Sequence, residues 1–369
     1  MFDEQPTVKT SSSSRQPVAR ASVAGGVLAP DELPFVSVVI PCFNEERFIG
    51  KVLENLAGQY APTRSEIIVV DGRSTDRTRE AVAEFMRAYP NLRVRLVDNP
   101  ARNIPAGVNL GINHARGDVI VRMDAHAIPS PNYVRRCVEQ LGGAEVAVVG
   151  MVCRIQPGAA TLTAQAIALA VAHPFGIGDA QYRLPDRAAT QFVDTVPFGV
   201  FRKSLWADVG GFNEKLLTNE DYDFHYRIRQ RGGRILLDAS GHSLYFARPT
   251  ITGLAQQYFR YGTWKAQMVK LHPRSLRWRH LVAPTFVASV VASATLGFLW
   301  RIAWAMLLLI ILPYTLLSLW CAFQLSRRAR DLRLMPLISF IFLTIHATWG
   351  SSFLLGLLRA PRIEGTTHR

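Results

Sequence analysis

The sequence predicts an α/β fold with a mostly parallel sheet, followed by a membrane region at the carboxyl end. Between residues 34 and 270, short β-branched apolar runs alternate with segments of helical periodicity, which is typical of parallel strands joined by crossover helices. In the last part, residues 271–369, the composition changes and long apolar segments with almost no charge appear. The polar residues 1–33 show neither the two-residue period of a strand nor the 3.6-residue period of a helix, and they are predicted to be a disordered tail.

The predicted strands and helices follow one another closely in the first half of the chain. Residues 35–40 (FVSVVI) form an apolar strand that Pro41 should end, and Asn44 is then a candidate helix N-cap. The further elements are a strand at 66–70, a helix from 75, a strand at 94–97, a helix at 106–115 and a strand at 119–123. Because ligands bind at the carboxyl ends of parallel strands, Asn44, Asp71 and Asp124 are expected to gather at one edge of the sheet.

Three segments in the last quarter are each long enough to span a bilayer, which takes about 20 residues. They are residues 281–300, 302–323 and 334–358, and Arg301 separates the first two, which favours a tight helical hairpin. The flanks of this hairpin, residues 274–280 and 326–333, are rich in arginine. This bias predicts a multi-pass protein of the inner membrane whose catalytic domain is cytoplasmic.

The sequence leaves two alternatives open in this region. Arginines at the carboxyl end argue against a third complete crossing, so the third segment could be a span or a re-entrant or interfacial helix. These residues are Arg359, Arg362 and Arg369. The other alternative is that all three segments are buried core helices of a soluble protein.

The formal net charge of +14 indicates which kinds of molecule the protein can bind. A basic chain can bind nucleic acid, an anionic membrane surface or phosphorylated ligands. The arginines are dispersed and no nucleic-acid-binding motif is present, so nucleic acid is not a predicted partner. The four cysteines form no C-x-x-C pair, which predicts a reducing compartment without a disulfide framework.

Two of the predicted strand ends carry residues suited to bind a nucleotide or a metal ion. Asp71, at the start of DGRSTDRT, could accept hydrogen bonds from a base N–H or a ribose hydroxyl, whereas Asp76 is better explained as a helix cap. Asp124 and His126 (MDAH) lie two residues apart, and carboxylate and imidazole are both competent ligands for Mn²⁺, while a carboxylate suits Mg²⁺. Taken alone, the pair is also consistent with a solvated loop.

Two later motifs carry further candidate residues. Glu220 and Asp221 open a helical segment (EDYDFHYRIR), where clustered carboxylates can raise one another's pKa as a general base requires. They could equally be ordinary acidic residues of a first helical turn. Gln257 and Arg260 share one helix face, where Arg260 could pair with a phosphate or belong to an interfacial belt of aromatic and basic residues.

The order of these motifs resembles that of the family 2 glycosyltransferases with a GT-A fold. The matching features are VSVVIPCFNEE, IIVVDGRSTDRT, a D-x-D-like pair, an E-D pair and Q-x-x-R-[WY] before the membrane segments. The resemblance covers residues 35–265. Within the family, the MDAH and RYGTWK segments look most like the glucosyltransferases of succinoglycan biosynthesis, the ExoA type.

The resemblance implies roles for individual positions. The positions that match nucleotide-sugar-binding residues are Pro41, Asn44, Glu45, Asp71, Asp124, Gly199 and Gln257. Asp221 matches the catalytic base, and Glu220 and Arg260 are the other catalytic positions. Asp124 and His126 match the positions that hold Mn²⁺ or Mg²⁺, with His126 in place of the last D-x-D carboxylate.

The implied reaction is an inverting transfer of a hexose, glucose, from a UDP-sugar to a polyprenyl-diphosphate-linked saccharide, in exopolysaccharide biosynthesis. Membrane lipids and other exopolysaccharide assembly enzymes are the implied partners. A processive polysaccharide synthase is an alternative, although three spans are few for a channel. A second alternative is a catalytically silent, membrane-anchored module that binds a sugar nucleotide. A nicotinamide oxidoreductase is disfavoured, because PCFNEE stands where G-x-G-x-x-G would follow the first strand.

Overall fold

The computed structural model describes residues 34–143, 145–184 and 189–359. The predicted tail at 1–33 and the two terminal arginines Arg362 and Arg369 lie outside the described residues. The described part consists of a nine-stranded sheet covered by helices on both faces, and three long apolar helices that follow it.

The sheet is mixed but mostly parallel around its centre, as the sequence predicts. Its strands are β1 (Val36–Cys42), β2 (Ser65–Asp71), β3 (Val94–Asp98), β4 (Val119–Arg122), β5 (Ala127–Pro129), β6 (Val146–Gln156), β7 (Gln191–Val193), β8 (Val200–Arg202) and β9 (Arg234–Phe246). Their order is β3-β2-β1-β4-β8-β6-β9-β5, with β7 paired to β9. Strands β1 to β4 are parallel, and β8 is antiparallel to both of its neighbours. The carboxyl ends of β1, β2 and β4 therefore meet at one edge.

Helices cover both faces of this sheet because alternate strand residues are apolar on opposite sides. The helices are α1 (Ile49–Ala57), α2 (Thr78–Ala88), α3 (Ile104–His114), α4 (Tyr133–Gln140), α5 (Leu162–Ala170), α6 (Pro174–Ile177), α7 (Lys203–Asp208), α8 (Glu220–Gln230) and α9 (Ile251–Leu271). Val38 and Ile40 pack with α1, α2 and α4, whereas Val39 and Ile68 pack with α3 and α8. The sheet is thus buried on both faces, which fixes the register of its strands.

Two local predictions are wrong. Pro41 does not end β1, which continues to Cys42. Strand β4 pairs only with residues Val36 to Val39, so beyond that point one side of β1 is free and a residue without an N–H is tolerated. Asn44 is not a helix N-cap, because α1 begins at Ile49 and the Asn44 side chain instead accepts a hydrogen bond from a neighbouring loop.

The apolar segments form three helices that are long and apolar enough to cross a membrane. They are α10 (Arg279–Gly297), α11 (Ile302–Arg328) and α12 (Leu334–Leu358). Helices α10 and α11 form the predicted hairpin, in which the rings of Phe286 and Tyr314 stack 4.3 Å apart between centroids. Their outer faces expose large apolar side chains such as Leu308 and Leu309, which argues against core helices of a soluble protein.

Helix α12 is the most buried of the three and is packed against the catalytic domain as well as against α10 and α11. Gly262 of α9 lies so close to α12 that a β-carbon at this position would stand 2.1 Å from the Ser352 hydroxyl. Leu254 and Tyr258 of α9 share an apolar cluster with Ile341 and Ile345 of α12. Helix α9 therefore joins the sheet domain to the apolar helices over most of its length.

Candidate active site

The loops that follow β1 and β2 are tied together at the carboxyl edge of the sheet. Asn44 has a positive φ of 55°, a left-handed conformation that asparagine tolerates. Its side-chain oxygen accepts a hydrogen bond from the Thr75 N–H at 2.8 Å, and its own N–H donates to the Ser74 hydroxyl at 2.9 Å. Asn44, for which a nucleotide-binding role is expected, is therefore exposed, and these hydrogen bonds hold its loop in place.

Asp71, at the end of β2, turns its carboxylate inward. It is fully buried and accepts hydrogen bonds from the Ser74 hydroxyl and from Arg79, each at 2.6 Å. In this conformation the carboxylate organises the loop and has no exposed surface for a base or ribose. A direct contact between Asp71 and a nucleotide stays a prediction that would require these partners to rearrange.

His126 is oriented by a carboxylate from the loop after β1. Its Nδ1 lies 2.8 Å from the Glu45 Oε1, so the Nδ1–H donates to this oxygen. Burial opposes the charged imidazole, but the hydrogen bond to Glu45 and the nearby charge of Asp124 outweigh burial and raise the pKa of His126. The contact leaves Nε2 as the ring nitrogen that is available to a ligand.

Arg122, the last residue of β4, joins three of the acidic candidates. Its guanidinium nitrogens lie 2.8 Å from Asp124, 3.4 Å from Glu220 and 3.6 Å from Asp221. Its side chain is only 4% exposed, whereas those of Asp124 and Asp221 are 22% and 24% exposed. Burial lowers the pKa of Arg122, but the three carboxylates more than compensate and raise it, so the arginine remains charged. Asp124 and Asp221 therefore form the solvent-facing part of this cluster.

Local sequence explains why these residues meet. Arg122 and Asp124 are two residues apart at the end of β4, so they turn to the same side, while Ala125 is buried beside them. On the other side of the cluster, α8 begins at Glu220, directly after Asn219, whose φ of 68° reverses the chain. The positive end of the helix dipole favours carboxylates in this first turn.

The two acidic residues that open α8 both have raised pKa values. Burial and the neighbouring charge of Asp221 raise the pKa of Glu220 to about 8. Burial also raises the pKa of Asp221, against the opposing attraction of Arg122. Asp221 is the more exposed of the two and is therefore the member suited to accept a proton from a substrate.

Helix α8 is held in position by an ion-paired residue on its opposite side. Asp223 is fully buried, and its carboxylate lies 2.8 Å from Arg227 and 2.9 Å from the Nε2 of His272. His272 follows α9, so this contact connects the helix that carries the acidic pair to the helix that packs on α12. The position of Asp221 consequently depends on the junction with the apolar helices.

The remaining predicted residues occupy different layers of the site. Pro41 is buried in β1, and Gly199 is packed behind Arg122, whose N–H donates to the Gly199 carbonyl at 3.1 Å. Gln257 of α9 is buried and donates to the Tyr245 hydroxyl at 3.0 Å. Arg260 is exposed on α9 and, among the described residues, is not one of those that pair with Arg122 or its carboxylates. The structure thus brings Asp124, Glu220 and Asp221 together around Arg122, and it keeps Pro41, Gly199 and Gln257 in supporting positions.

The donor set at Asp124 and His126 is compatible with a divalent cation. Asp124 uses one oxygen for Arg122, and His126 uses Nδ1 for Glu45, which leaves one carboxylate oxygen and Nε2. No group of three or more potential protein ligands is found within the described ranges. A two-residue site fits an ion that completes its coordination with substrate phosphates, as Mg²⁺ commonly does. A carboxylate behind a ligating histidine is a frequent outer-shell arrangement.

Arg122 was not among the residues expected from the sequence. One signal could have indicated it: an arginine within an otherwise apolar buried strand (VIVR), two residues before a carboxylate. A charge at such a position is costly unless it is paired, so the acidic motifs elsewhere in the chain were candidate partners.

The chain is similar to several known proteins. The model of the Glycosyl transferase family 2 matches residues 37–207. The succinoglycan biosynthesis protein ExoA of Rhizobium meliloti (strain 1021) is 30% identical over 276 residues, which cover 73% of this chain and 81% of that protein. A dolichyl N-acetyl-alpha-D-glucosaminyl phosphate 3-beta-D-2,3-diacetamido-2,3-dideoxy-beta-D-glucuronosyltransferase of Methanococcus voltae is 25% identical over 249 residues, covering 66% of this chain and 77% of that protein.

A solved structure has the same fold. The mannosyltransferase PcManGT from Pyrobaculum calidifontis, in complex with GDP-Man and Mn²⁺, superposes with a TM-score of 0.59 at 20% identity, covering 89% of this chain and 88% of that one. The predicted GT-A fold, with its mostly parallel sheet and following apolar helices, is thereby confirmed. On the strength of the family model and the relatives, the chain belongs to glycosyl transferase family 2 and is a glycosyltransferase.

Proposed function

We propose that residues 34–270 form a catalytic domain that transfers glucose from UDP-glucose, with inversion, to a lipid-linked saccharide. The observation that carries this proposal is the convergence of Asp124 and Asp221 on one buried arginine, Arg122. A candidate general base and a candidate site for the donor diphosphate thus lie within the reach of a single side chain. An inverting transfer needs these two groups on opposite sides of the anomeric carbon.

In the proposed mechanism, Asp221 removes the proton from an acceptor hydroxyl. The acceptor oxygen forms a bond to the anomeric carbon while the bond from that carbon to the diphosphate oxygen breaks, and the nucleotide leaves with both electrons. A single displacement inverts the configuration, so an α-linked donor gives a β-linked product. The raised pKa of Glu220, caused by burial and by the charge of Asp221, favours its neutral form and so reduces the negative charge beside Asp221.

Asp124 and the Nε2 of His126 would hold Mn²⁺ or Mg²⁺. A bound divalent cation would supply charge neutralisation for the diphosphate. Glu45 orients His126 for this role, and Gln257 supports the same region through Tyr245, whose ring centroid lies 6.1 Å from that of His126. Arg260 is proposed as a further contact for the diphosphate, because it is exposed on the same helix as Gln257.

The acceptor is proposed to be held by a membrane lipid, a polyprenyl diphosphate. Two supports are the packing of α9 on α12 and the relatives, one of which is named for a dolichyl-linked substrate and one for succinoglycan biosynthesis. We propose an inner-membrane location with residues 271–369 as the membrane region and the catalytic domain in the cytoplasm. Other enzymes of exopolysaccharide assembly are proposed partners.

A donor screen with the full-length, detergent-purified protein tests this function. UDP-glucose, UDP-galactose, UDP-N-acetylglucosamine and GDP-mannose would be incubated with Mn²⁺, Mg²⁺ or EDTA in the presence of a lipid-linked saccharide extract. The expected result is metal-dependent release of UDP from UDP-glucose and a β-linked glucosyl product on the lipid. Release that is equal in EDTA, or an α-linked product, would contradict the proposed mechanism, and exclusive use of another sugar would correct the donor.

A further inference from the structure

A second group of charged residues lies at the opposite end of α8, where the sheet domain meets α10. Asp194 is at its centre and is nearly buried. Arg279, the first residue of α10, pairs with Asp194, and Arg277 lies 3.4 Å from the same carboxylate. Arg229 of α8 and Lys265 of α9 complete the group and act electrostatically on Asp194 or on one another. Four basic side chains thus surround the Asp194 carboxylate. Asp179, which pairs with Arg279, is the second carboxylate of the group.

Two of these four basic side chains have a buried nitrogen without a hydrogen-bond partner in the described part of the chain. They are the Nζ of Lys265 and the Nε of Arg229. Lys265 is 4% exposed, and its Nζ lies over the Tyr222 ring, 3.6 Å from the centroid. Burial and the repulsion from Arg279 lower the pKa of Lys265 to about 7. The group therefore contains more positive charge and more donors than its own carboxylates satisfy, which is costly in a buried position.

A cavity opens beside these residues. It has a volume of about 350 Å³, and Arg229, Arg277 and Arg279 line it together with the edges of β7 and β9. It is separate from the acidic cluster, because Arg229 lies eight residues after Asp221 along α8, a distance of about 12 Å at the helical rise. Asp179 and Asp194 also line the cavity, but its four arginines, which include Arg234, exceed these carboxylates by two positive charges. An anion in the cavity would neutralise this excess.

The position of the cavity identifies the kind of anion. Arg279 begins the first of the three apolar helices, so the cavity lies at the level where that helix leaves the sheet domain. Trp278, immediately before it, is 74% exposed, as is typical of aromatic residues at a membrane–water interface. A phosphate at this level belongs to the headgroup layer of the membrane, and basic pockets beside membrane helices are suited to lipid phosphates.

We infer that this cavity binds the phosphate of a phospholipid headgroup, held by Arg229 and Arg277. The phosphate neutralises the surplus positive charge of the arginines that line the cavity. The site fixes the orientation of the sheet domain against the membrane surface. It is independent of the proposed sugar transfer, since none of its residues belongs to the acidic cluster around Arg122.

Native mass spectrometry of the detergent-purified full chain, titrated with phosphatidylglycerol, tests the inference. Wild type should bind one lipid tightly, and Arg229→Gln/Arg277→Gln should weaken this binding about tenfold or more, because the loss of even one fully formed charged hydrogen bond is worth about tenfold. Arg274→Gln removes the same charge from an exposed position of the same segment that does not line the cavity, and should bind as wild type does. Equal binding by the double variant, or equal loss in Arg274→Gln, would overturn the site.

Two further arms keep the outcome decisive. If the double variant does not fold, Arg277→Gln alone replaces it, because this side chain is 46% exposed, and a weakening of about threefold or more is expected. Inorganic phosphate serves as the second probe at millimolar concentration. It should leave the lipid bound, and arginine-dependent binding of inorganic phosphate without lipid binding would refute the lipid assignment.

Discussion

Replacing Arg122 with glutamine removes the one cation that the three carboxylates of the active site share. Its nitrogens stand 2.8, 3.4 and 3.6 Å from Asp124, Glu220 and Asp221. Breaking a buried pair by removing one partner costs about 3–5 kcal/mol. The lower end applies here, because water reaches Asp124 and Asp221, whose side chains are 22% and 24% exposed. We expect Arg122→Gln to lower the free energy of unfolding by about 3 kcal/mol at pH 8.

The loss should depend on pH in a defined direction. Without the arginine, the raised pKa values of Glu220 and Asp221 rise further, so at lower pH these two carboxylates take up protons and repel one another less. The difference in unfolding free energy between Arg122→Gln and wild type should therefore be smaller at pH 5.5 than at pH 8. Equilibrium denaturation of the detergent-purified proteins, followed by tryptophan fluorescence, measures it at both values.

Arg135→Gln is the matched control for this experiment. Arg135 pairs with Glu139 one helical turn away and is 43% exposed, so its loss should cost less than about 0.5 kcal/mol. The reasoning is refuted if Arg122→Gln is as stable as Arg135→Gln at pH 8. It is also refuted if the loss is the same at both pH values, since the cost would then not be electrostatic.

Three further predictions concern the surroundings of the site. Glu45→Ala should weaken Mn²⁺ binding about 10- to 100-fold in electron paramagnetic resonance titrations, since His126 loses its orienting partner, whereas Glu46→Ala should not. Asp223→Ala should lower the unfolding free energy by about 3–5 kcal/mol in denaturation measurements, because it removes the fully buried carboxylate that pairs with Arg227 and contacts His272, and a loss below about 1 kcal/mol would contradict this. The pKa of Glu220 is about 8 in the folded protein and 4.5 as its ordinary value. Between these two pH values the folded state binds a proton that the unfolded state has lost, so the protein becomes less stable as pH rises from 4.5 to about 8. Glu220→Gln should flatten that decline, and an unchanged slope would show that another group causes it.

The alternation of strands and helices could be predicted from the sequence because the central strands β1, β2 and β4 are buried on both faces and consist mostly of apolar residues. The same reasoning located the helix that begins at Glu220, since acidic residues at a first turn precede a helical pattern. It failed at Pro41 because the length of pairing with β4 is a property of the sheet and not of β1 alone.

The sequence motifs could identify the candidate acidic residues but not their partners. Arg122 and Glu220 are 98 positions apart, and only the folded sheet shows that they meet. The motif around Asp71 likewise does not reveal that Arg79, the second residue of α2, covers the carboxylate. Charges are paired by tertiary contacts, and periodicity carries no information about them.

The third apolar segment shows the same limit. Its length and composition predict a membrane span, and they do not distinguish a lipid-facing helix from one that packs on protein. The contact between Gly262 and Ser352 depends on a small residue in α9, far from the apolar segment itself. The packing partner of α12 therefore could not be found from the hydropathy of residues 334–358.

The most direct test of the central claim is a comparison of donor binding and turnover in Asp221→Asn. Asp208→Asn, the same change at an exposed position of α7, is the control. If Asp221 is the general base, Asp221→Asn should bind UDP with an affinity close to that of wild type while turnover falls about 10²- to 10⁴-fold, and Asp208→Asn should change neither. Turnover in Asp221→Asn equal to that of wild type would contradict the account.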